Sequence, residues 1–236
     1  MEIKMAFELR QSISQSYKHL FELGFNPRNV IDVGVANGTF PLYEAFGDSF
    51  FLLIEPLKEF ESDLKSILTK YQGCYVIAAA GSASGEVVIN VHPDHLVGSS
   101  LLKESMGSEA DGYEQTVPMV VVDDLIEKLS LQGPYLIKVD TQGAELDVLN
   151  GCTRALRDTE VIALEISMFE FMKGAPQFYD VIVYMKEKGF VAYDIVLGWN
   201  RPMDNALGQV DIVFVKEYGR FRQSHNYSTV EQLKTL

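Results

Sequence analysis

Four short apolar runs in this chain carry a carboxylate at or beside their last residue: Val30-Ile31-Asp32-Val33, Phe50-Phe51-Leu52-Leu53-Ile54-Glu55, Tyr135-Leu136-Ile137-Lys138-Val139-Asp140 and Val161-Ile162-Ala163-Leu164-Glu165. Nearly continuous hydrophobic runs of this length are the pattern of strands buried on both faces. Stretches with helical spacing follow them: Phe60, Leu64, Ile67, Leu68 and Tyr71; then Val148, Leu149, Cys152, Ala155 and Leu156; then Phe178, Val181, Ile182 and Met185. Strands alternating with helices imply an α/β fold with a mainly parallel sheet covered on both faces. Ligands of such sheets sit outside the carboxyl ends of the strands. Asp32, Glu55, Asp140 and Glu165 therefore fall on one rim and mark a candidate site.

The turn after the first strand narrows the ligand. Gly34-Val35-Ala36-Asn37-Gly38 leads into a helix, whose first N–H groups and positive dipole end face the rim. Glu55 follows the last of these glycines by 55 − 38 = 17 residues, the place of an acid that bonds both hydroxyls of a ribose in nucleotide-binding α/β units. The G-x-G-x-x-G spacing that meets a pyrophosphate is absent, and the turn carries no basic residue. Asp32 beside it would repel a diphosphate but suits the amino and sulfonium charges of S-adenosylmethionine.

The remaining segments complete one domain spanning residues 1–236. A helix containing Ile13, Tyr17, Leu20 and Phe21 ends near Gly24 and forms an N-terminal extension, residues 1–24. The core, residues 29–217, adds strands at 74–79, 87–91, 117–122, 190–196 and 209–216. Asp124 and Glu127 fit a capping box before a short helix over 125–129. A tail, residues 218–236, is polar. Residues 92–112 are long and polar for a connection, so they are expected to form a lid flexing at Gly98, Gly107 and Gly112.

The charge, 20 − 33 = −13, argues against a polyanion such as nucleic acid, which needs a basic stripe. Residues 1–8 lack the apolar core of a secretory leader, and no run is long enough to span a bilayer. Cys74 and Cys152 fit neither a zinc site nor a redox pair. Buried thiols in a cytoplasmic protein are the expectation.

Lys138-Val139-Asp140-Thr141-Gln142-Gly143-Ala144-Glu145-Leu146, followed by Val148-Leu149-Asn150-Gly151, resembles the signature segment of the FkbM family of S-adenosylmethionine-dependent methyltransferases. The Asp-Val-Gly turn, Glu55-Pro56, Val122-Asp123-Asp124-Leu125, Leu164-Glu165, Gly174-Ala175-Pro176, Gly189-Phe190 and Gly208-Gln209-Val210-Asp211 occur in family order. One departure is that Val35 and Ala36 precede Asn37, placing the amide one position later than usual. The resemblance implies a Rossmann-like class I methyltransferase fold, seven-stranded with an antiparallel last strand, and methylation of a hydroxyl on a sugar, glycan or secondary metabolite. A nicotinamide or nucleotide-sugar enzyme and a non-catalytic nucleoside-binding module are the rival readings.

On this reading Asp32, Gly34, Asn37, Gly38, Glu55, Ala80 and Gly81 hold the cofactor. A sugar hydroxyl is weakly acidic and needs a general base or a divalent cation; the sequence leaves the choice open. Asp140 is the first candidate base, with Glu165 as its partner. A buried Lys must be paired or neutral, so Lys138 is expected to pair with Glu165 or Asp32. Glu145 is expected to cap its helix. His92 and His95 are read as solvated loop residues or a base on a lid. Ser99, Ser100, Trp199 and Arg201 are candidates to bond or stack on the acceptor, Trp199 and Arg201 being equally readable as a packed loop anchor.

Overall fold

The computed structural model describes residues 9–234; the leader-peptide expectation for residues 1–8 lies outside them. The chain runs α1 (Ile13–Glu22), β1 (Asn29–Val33), α2 (Phe40–Ala45), β2 (Phe50–Glu55), α3 (Glu61–Ile67), β3 (Gly73–Ile77), β4 (Ala79–Ala80), β5 (Gly85–Val91) and β6 (Tyr113–Val120). It continues through α4 (Val122–Lys128), β7 (Tyr135–Val139), α5 (Glu145–Asn150), α6 (Ala155–Asp158), β8 (Thr159–Ser167), α7 (Phe178–Glu187), β9 (Phe190–Asn200), β10 (Leu207–Lys216) and α8 (Val230–Leu233).

Seven strands form one sheet in the order β3-β2-β1-β7-β8-β10-β9. The pairings from β3 to β8 are parallel, whereas β10 lies antiparallel to both β8 and β9. This is the α/β architecture expected, with one reversed strand. The order turns back between β1 and β7, which makes the carboxyl ends of those strands the topological switch point where such sheets bind ligands.

Alternation along the strands separates two cores, because successive side chains leave opposite faces. Ile31, Leu52, Ile54, Ile137, Ile162, Leu164, Ile212 and Phe214 pack under α5 and α7 through Val148, Leu149, Val181 and Met185. Val30, Phe51, Leu53, Leu136, Val161, Val213 and Val215 pack on the other face against Tyr17, Leu20, Leu42, Tyr43, Leu64 and Ile67 of α1, α2 and α3. Asp32, Lys138, Glu165, Gln209 and Asp211 share the alternation of this second face. They replace apolar residues there only near the strand ends.

Several local expectations are corrected. The sheet at β3 stops at Ile77; Ala79 and Ala80 pair instead with Met119 and Val120 in a second sheet of order β4-β6-β5. The helix expected over 125–129 begins at Val122, and the Asp124–Glu127 box does not form. Those two carboxylates hold Arg154, while buried Asp123 accepts the N–H groups of Arg154 and Ala155 at 2.7 and 2.8 Å. The single helix read from 148 to 156 is two helices, α5 and α6. They part at Gly151, where a Cβ would stand 2.2 Å from the Gly81 carbonyl oxygen. Phe21 is half exposed rather than packed, and Cys74 is only partly buried, whereas Cys152 is fully so. No helix among the described residues is long and apolar enough to cross a membrane.

Candidate functional site

A cavity of about 1080 Å³ opens at the carboxyl ends of the central strands. That is at the upper end of the roughly 300–1,000 Å³ of a small-molecule pocket, so it has room for two ligands side by side. One end is the glycine turn with Glu55; the other holds Asp140, Glu165, Gln209 and Asp211.

The turn is held by close backbone approach. Gly34 has φ +73°, and a Cβ on it would lie 1.7 Å from the carbonyl oxygen of Asp140, so no side chain fits. Glu55 is 4% exposed; its Oε2 accepts the Ala36 N–H and its Oε1 the Leu57 N–H, both at 2.9 Å. Burial raises the Glu55 pKa, and the two backbone donors offset part of that rise. Each oxygen keeps a lone pair for a ligand. Gly38 and Ala80 also line the cavity.

Two residues assigned to the cofactor lie behind this surface. Asp32 is fully buried and accepts the Tyr43 hydroxyl at 2.6 Å; Gly81 donates its N–H to Val120. Neither lines the cavity. The turn folds its carboxylate inward because Tyr43 and Lys138 supply the partners that burial requires. Asn37 lines the opening but is exposed, with Nδ2 3.5 Å from Asp63.

Lys138 joins the two ends. Its Nζ donates to the Gly34 carbonyl at 3.0 Å and stands 3.4 Å from Asp140 Oδ2 and 3.6 Å from Asp32 Oδ1. The expected ion pair therefore goes to Asp32 and Asp140, not to Glu165. Burial by itself would lower the Lys138 pKa, but the carboxylates of Asp140 and Asp32 outweigh it and hold the pKa above its ordinary value.

At the acidic end, Gln142 occupies the left-handed region at φ 55°, a strained position typical of sites held in place by their surroundings. Its Nε2 bridges Asp140 Oδ1 at 2.9 Å and Glu165 Oε2 at 3.2 Å. Gln209 Nε2 also donates to Glu165 Oε2, at 3.1 Å. Both oxygens of Asp140 are thus tied by protein donors, while Glu165 Oε1 takes no hydrogen bond among the described residues. Burial and the neighbouring charges of Asp140 and Asp211 lift the Glu165 carboxyl well above the usual range. Asp211 is pushed up to about 6, again by burial first and Asp140 second. Glu145 sits behind this turn, accepting the N–H groups of Thr141 and Gly143 at 2.9 and 3.0 Å. It organises the loop before α5, taking N–H groups ahead of the helix it was expected to cap.

The acceptor candidates divide. Ser99, Ser100, Trp199 and Arg201 all line the cavity. Ser100, however, is buried and spends its hydroxyl on the Gln142 carbonyl at 2.7 Å, and Ser99 Oγ accepts the His92 N–H. Arg201 is forked onto Asp204 at 2.7 and 2.5 Å and lies 3.7 Å from the Phe169 ring centre, the packed-anchor arrangement. Trp199 stays 54% exposed at the mouth. His92 is not solvated: its side chain is 16% exposed and its Nε2 is 3.8 Å from Glu104.

Residues 92–112 are pinned at several points. Asn90 pairs with Ser100, Glu104 bridges to Met172, and the Ser105 N–H donates to Phe171. Gly112 is required for contact, since a Cβ there would meet the Val91 carbonyl oxygen at 2.0 Å. Among the described residues no group of three or more His, Cys, Asp or Glu side chains is arranged to hold a metal ion.

Sequence reasoning missed Gln209 and Asp211 as cavity residues. The available signal was a pair of polar side chains, two apart, at the head of an otherwise apolar strand.

A model of the FkbM methyltransferase domain matches residues 32–192. No curated protein matches the sequence. Solved structures with a similar course of chain include an rRNA methylase from Streptococcus thermophilus, at 10% identity and TM-score 0.49 over 89% of this chain and 98% of that one. Another is magnesium protoporphyrin IX methyltransferase from Synechocystis PCC 6803 with bound SAM, at 9% identity and TM-score 0.46 over 86% and 79%. A third is 1,6-didemethyltoxoflavin-N1-methyltransferase from Burkholderia thailandensis, at 7% identity and TM-score 0.47 over 87% and 79%.

Proposed function

The chain belongs to the FkbM methyltransferase domain family, and on that premise we propose that it transfers the methyl group of S-adenosylmethionine to a hydroxyl of a small-molecule or glycan acceptor. The observation that carries this reading is the single cavity joining the Glu55-braced glycine turn to the carboxylates of Asp140, Glu165 and Asp211. The donor set fits the cofactor. The turn presents backbone rather than basic side chains, and the surrounding carboxylates suit a ligand with ammonium and sulfonium charges. A diphosphate would meet repulsion there.

The turn from Gly34 to Gly38 holds the methionine end through backbone groups, and Glu55 takes the ribose hydroxyls on its remaining lone pairs. Ala80 borders the adenosine. Asp32 and Gly81 support this surface from behind. When bound, S-adenosylmethionine supplies an electrophilic methyl group. The residues of the chain have two tasks: to align the acceptor hydroxyl and to take its proton.

Asp140 was the first candidate for that proton on sequence grounds. The hydrogen bonds favour Glu165, whose Oε1 is open and whose raised pKa makes it the stronger base. Lys138 and Gln142 hold Asp140 in place, from where it orients the hydroxyl. No metal ion is needed for this assignment.

Calorimetry with S-adenosylmethionine tests the proposal. Glu55→Ala removes charge-assisted hydrogen bonds worth about 1.5–3 kcal/mol each, so affinity should fall at least about tenfold. Absence of binding to the wild-type protein, or binding of NAD in its place, would overturn it.

A further inference from the structure

The reversed strand β10 carries polar groups that the proposed transfer leaves without work. In the register of β8 and β10, Asp211 lies opposite Glu165 and Gln209 opposite Ser167. Around them Val210, Ile212, Val213, Phe214 and Val215 are at most 2% exposed. A strand buried on both faces ordinarily stays apolar, so two polar residues on one face of it call for a partner.

Their hydrogen bonds are incomplete in one direction. Gln209 is 4% exposed and donates through Nε2 to Glu165 Oε2 and, at 3.3 Å, to Ser167 Oγ. Its amide oxygen Oε1 is buried and has no hydrogen-bond partner. Buried acceptors are rarely left unpaired. The Asp211 carboxylate makes no hydrogen bond or ion pair among the described residues, and it lines the cavity beside Gln209. Two of the neighbouring donors are committed elsewhere. Gln142 serves Asp140 and Glu165, and Lys138 serves Gly34. The Tyr17 hydroxyl, which also lines the cavity, makes no hydrogen bond to either residue.

This end of the cavity thus offers hydrogen-bond acceptors and few donors, so its ligand must bring the protons. The hydroxyl that is methylated brings one, which goes to Glu165 Oε1. Gln209 Oε1 and Asp211 need another. Directly opposed side chains on antiparallel strands stand about 4.5–5.5 Å apart at Cβ, so the second donor belongs on the carbon next to the first. We propose that Gln209 and Asp211 read a hydroxyl adjacent to the methylated one, and that the acceptor is therefore a vicinal diol. This rests on the methyltransferase reading.

Saturation-transfer NMR on protein loaded with S-adenosylhomocysteine tests it, with cis-1,2-cyclohexanediol, cyclohexanol and 2-aminocyclohexanol as probes. The diol should bind about tenfold more tightly than cyclohexanol, the size of one net hydrogen bond. Asp211→Asn and Gln209→Leu should each bring the diol down toward the level of the mono-alcohol. Equal binding of diol and mono-alcohol to the wild-type protein, no binding of any probe, or a preference that survives both substitutions would overturn the proposal. Tighter binding of the amino alcohol would overturn the diol assignment in favour of an amine. Calorimetry with S-adenosylhomocysteine in the same samples separates the two failures. Cofactor binding without diol preference sinks only this inference, whereas no cofactor binding sinks the methyltransferase reading.

Discussion

The ammonium of Lys138 donates to the carbonyl of Gly34 across 3.0 Å, tying the end of β7 to the turn after β1. The same group faces Asp32 and Asp140. One side chain thereby ties the two halves of the cavity together and sets a positive charge 3.6 Å from a fully buried carboxylate.

Lys138→Met should cost about 3–5 kcal/mol of stability, the usual penalty for leaving one partner of a buried pair uncompensated. Urea unfolding measures it. Adding Asp32→Asn should recover part of the loss, because the stranded charge is then gone. Additive losses in that double-mutant cycle would show that the two residues do not act as a pair.

Gly34→Ala should be worse tolerated than its size suggests. The added methyl would overlap the Asp140 carbonyl, and φ +73° is unfavourable for a side chain. A large drop in melting temperature or loss of soluble protein is expected. Full retention of stability would mean that the turn is looser than its geometry indicates.

Stability of the free protein should fall as pH rises from about 4 to 8. The folded pKa of Asp211 is about 6 and that of Glu165 is also raised, against roughly 3.9 and 4.3 for the unfolded chain. The folded state therefore binds the extra protons between those limits. Its advantage is complete below the unfolded values and is lost as pH rises through the folded ones. For Asp211 the change is on the order of 3 kcal/mol. Thermal melts of Asp211→Asn should show a flatter pH profile than wild type.

Glu165→Gln should reduce turnover by about 10²–10⁴-fold, the range for losing a general base, with cofactor affinity retained. Asp140→Asn should cost less, since its oxygens are already occupied by Lys138 and Gln142. Release of S-adenosylhomocysteine in the presence of acceptor is the readout. In the wild type the rate should rise with pH as Glu165 loses its proton. The reverse ranking of the two variants would return the base to Asp140.

Hydrogen exchange within residues 92–112 should be uneven. The N–H groups of Ser100 and Ser105 donate to Asn90 and Phe171 and should exchange slowly without any ligand. The N–H of exposed Met106, which accompanies no such bond, should exchange fast. Uniformly fast exchange would restore the single mobile lid that length and composition suggested.

The sheet was legible because burial on both faces leaves a coarse mark. Val30, Phe51, Leu136 and Val161 serve one core, and their neighbours Ile31, Leu52, Ile137 and Ile162 serve the other. The rim was legible because Glu55, Asp140 and Glu165 interrupt that pattern at strand ends. What stayed hidden depends on partners distant in sequence. Ser100 and Arg201 look like free ligands until Gln142 and Asp204 claim them, and Asp123, inside α4, takes the N–H groups of Arg154 and Ala155 at the start of α6, 31 and 32 residues away. The short β4 strand was hidden because two residues carry too little periodicity to announce a change of sheet. Gln209 and Asp211 escaped the strand-end rule because they open their strand instead of closing it.

That reversal has a consequence for how such a chain changes its target. The parallel strands β2, β7 and β8 deliver Glu55, Asp140 and Glu165 on the way out, at their carboxyl ends. Strand β10 delivers Gln209 and Asp211 on the way in, directly after the hairpin that carries Trp199 and Arg201. On the proposed reading, the residues that meet the acceptor include this short stretch late in the chain, more than a hundred residues from the glycine turn. On that reading, rewriting the hairpin changes the acceptor while leaving the glycine turn and Glu55 untouched.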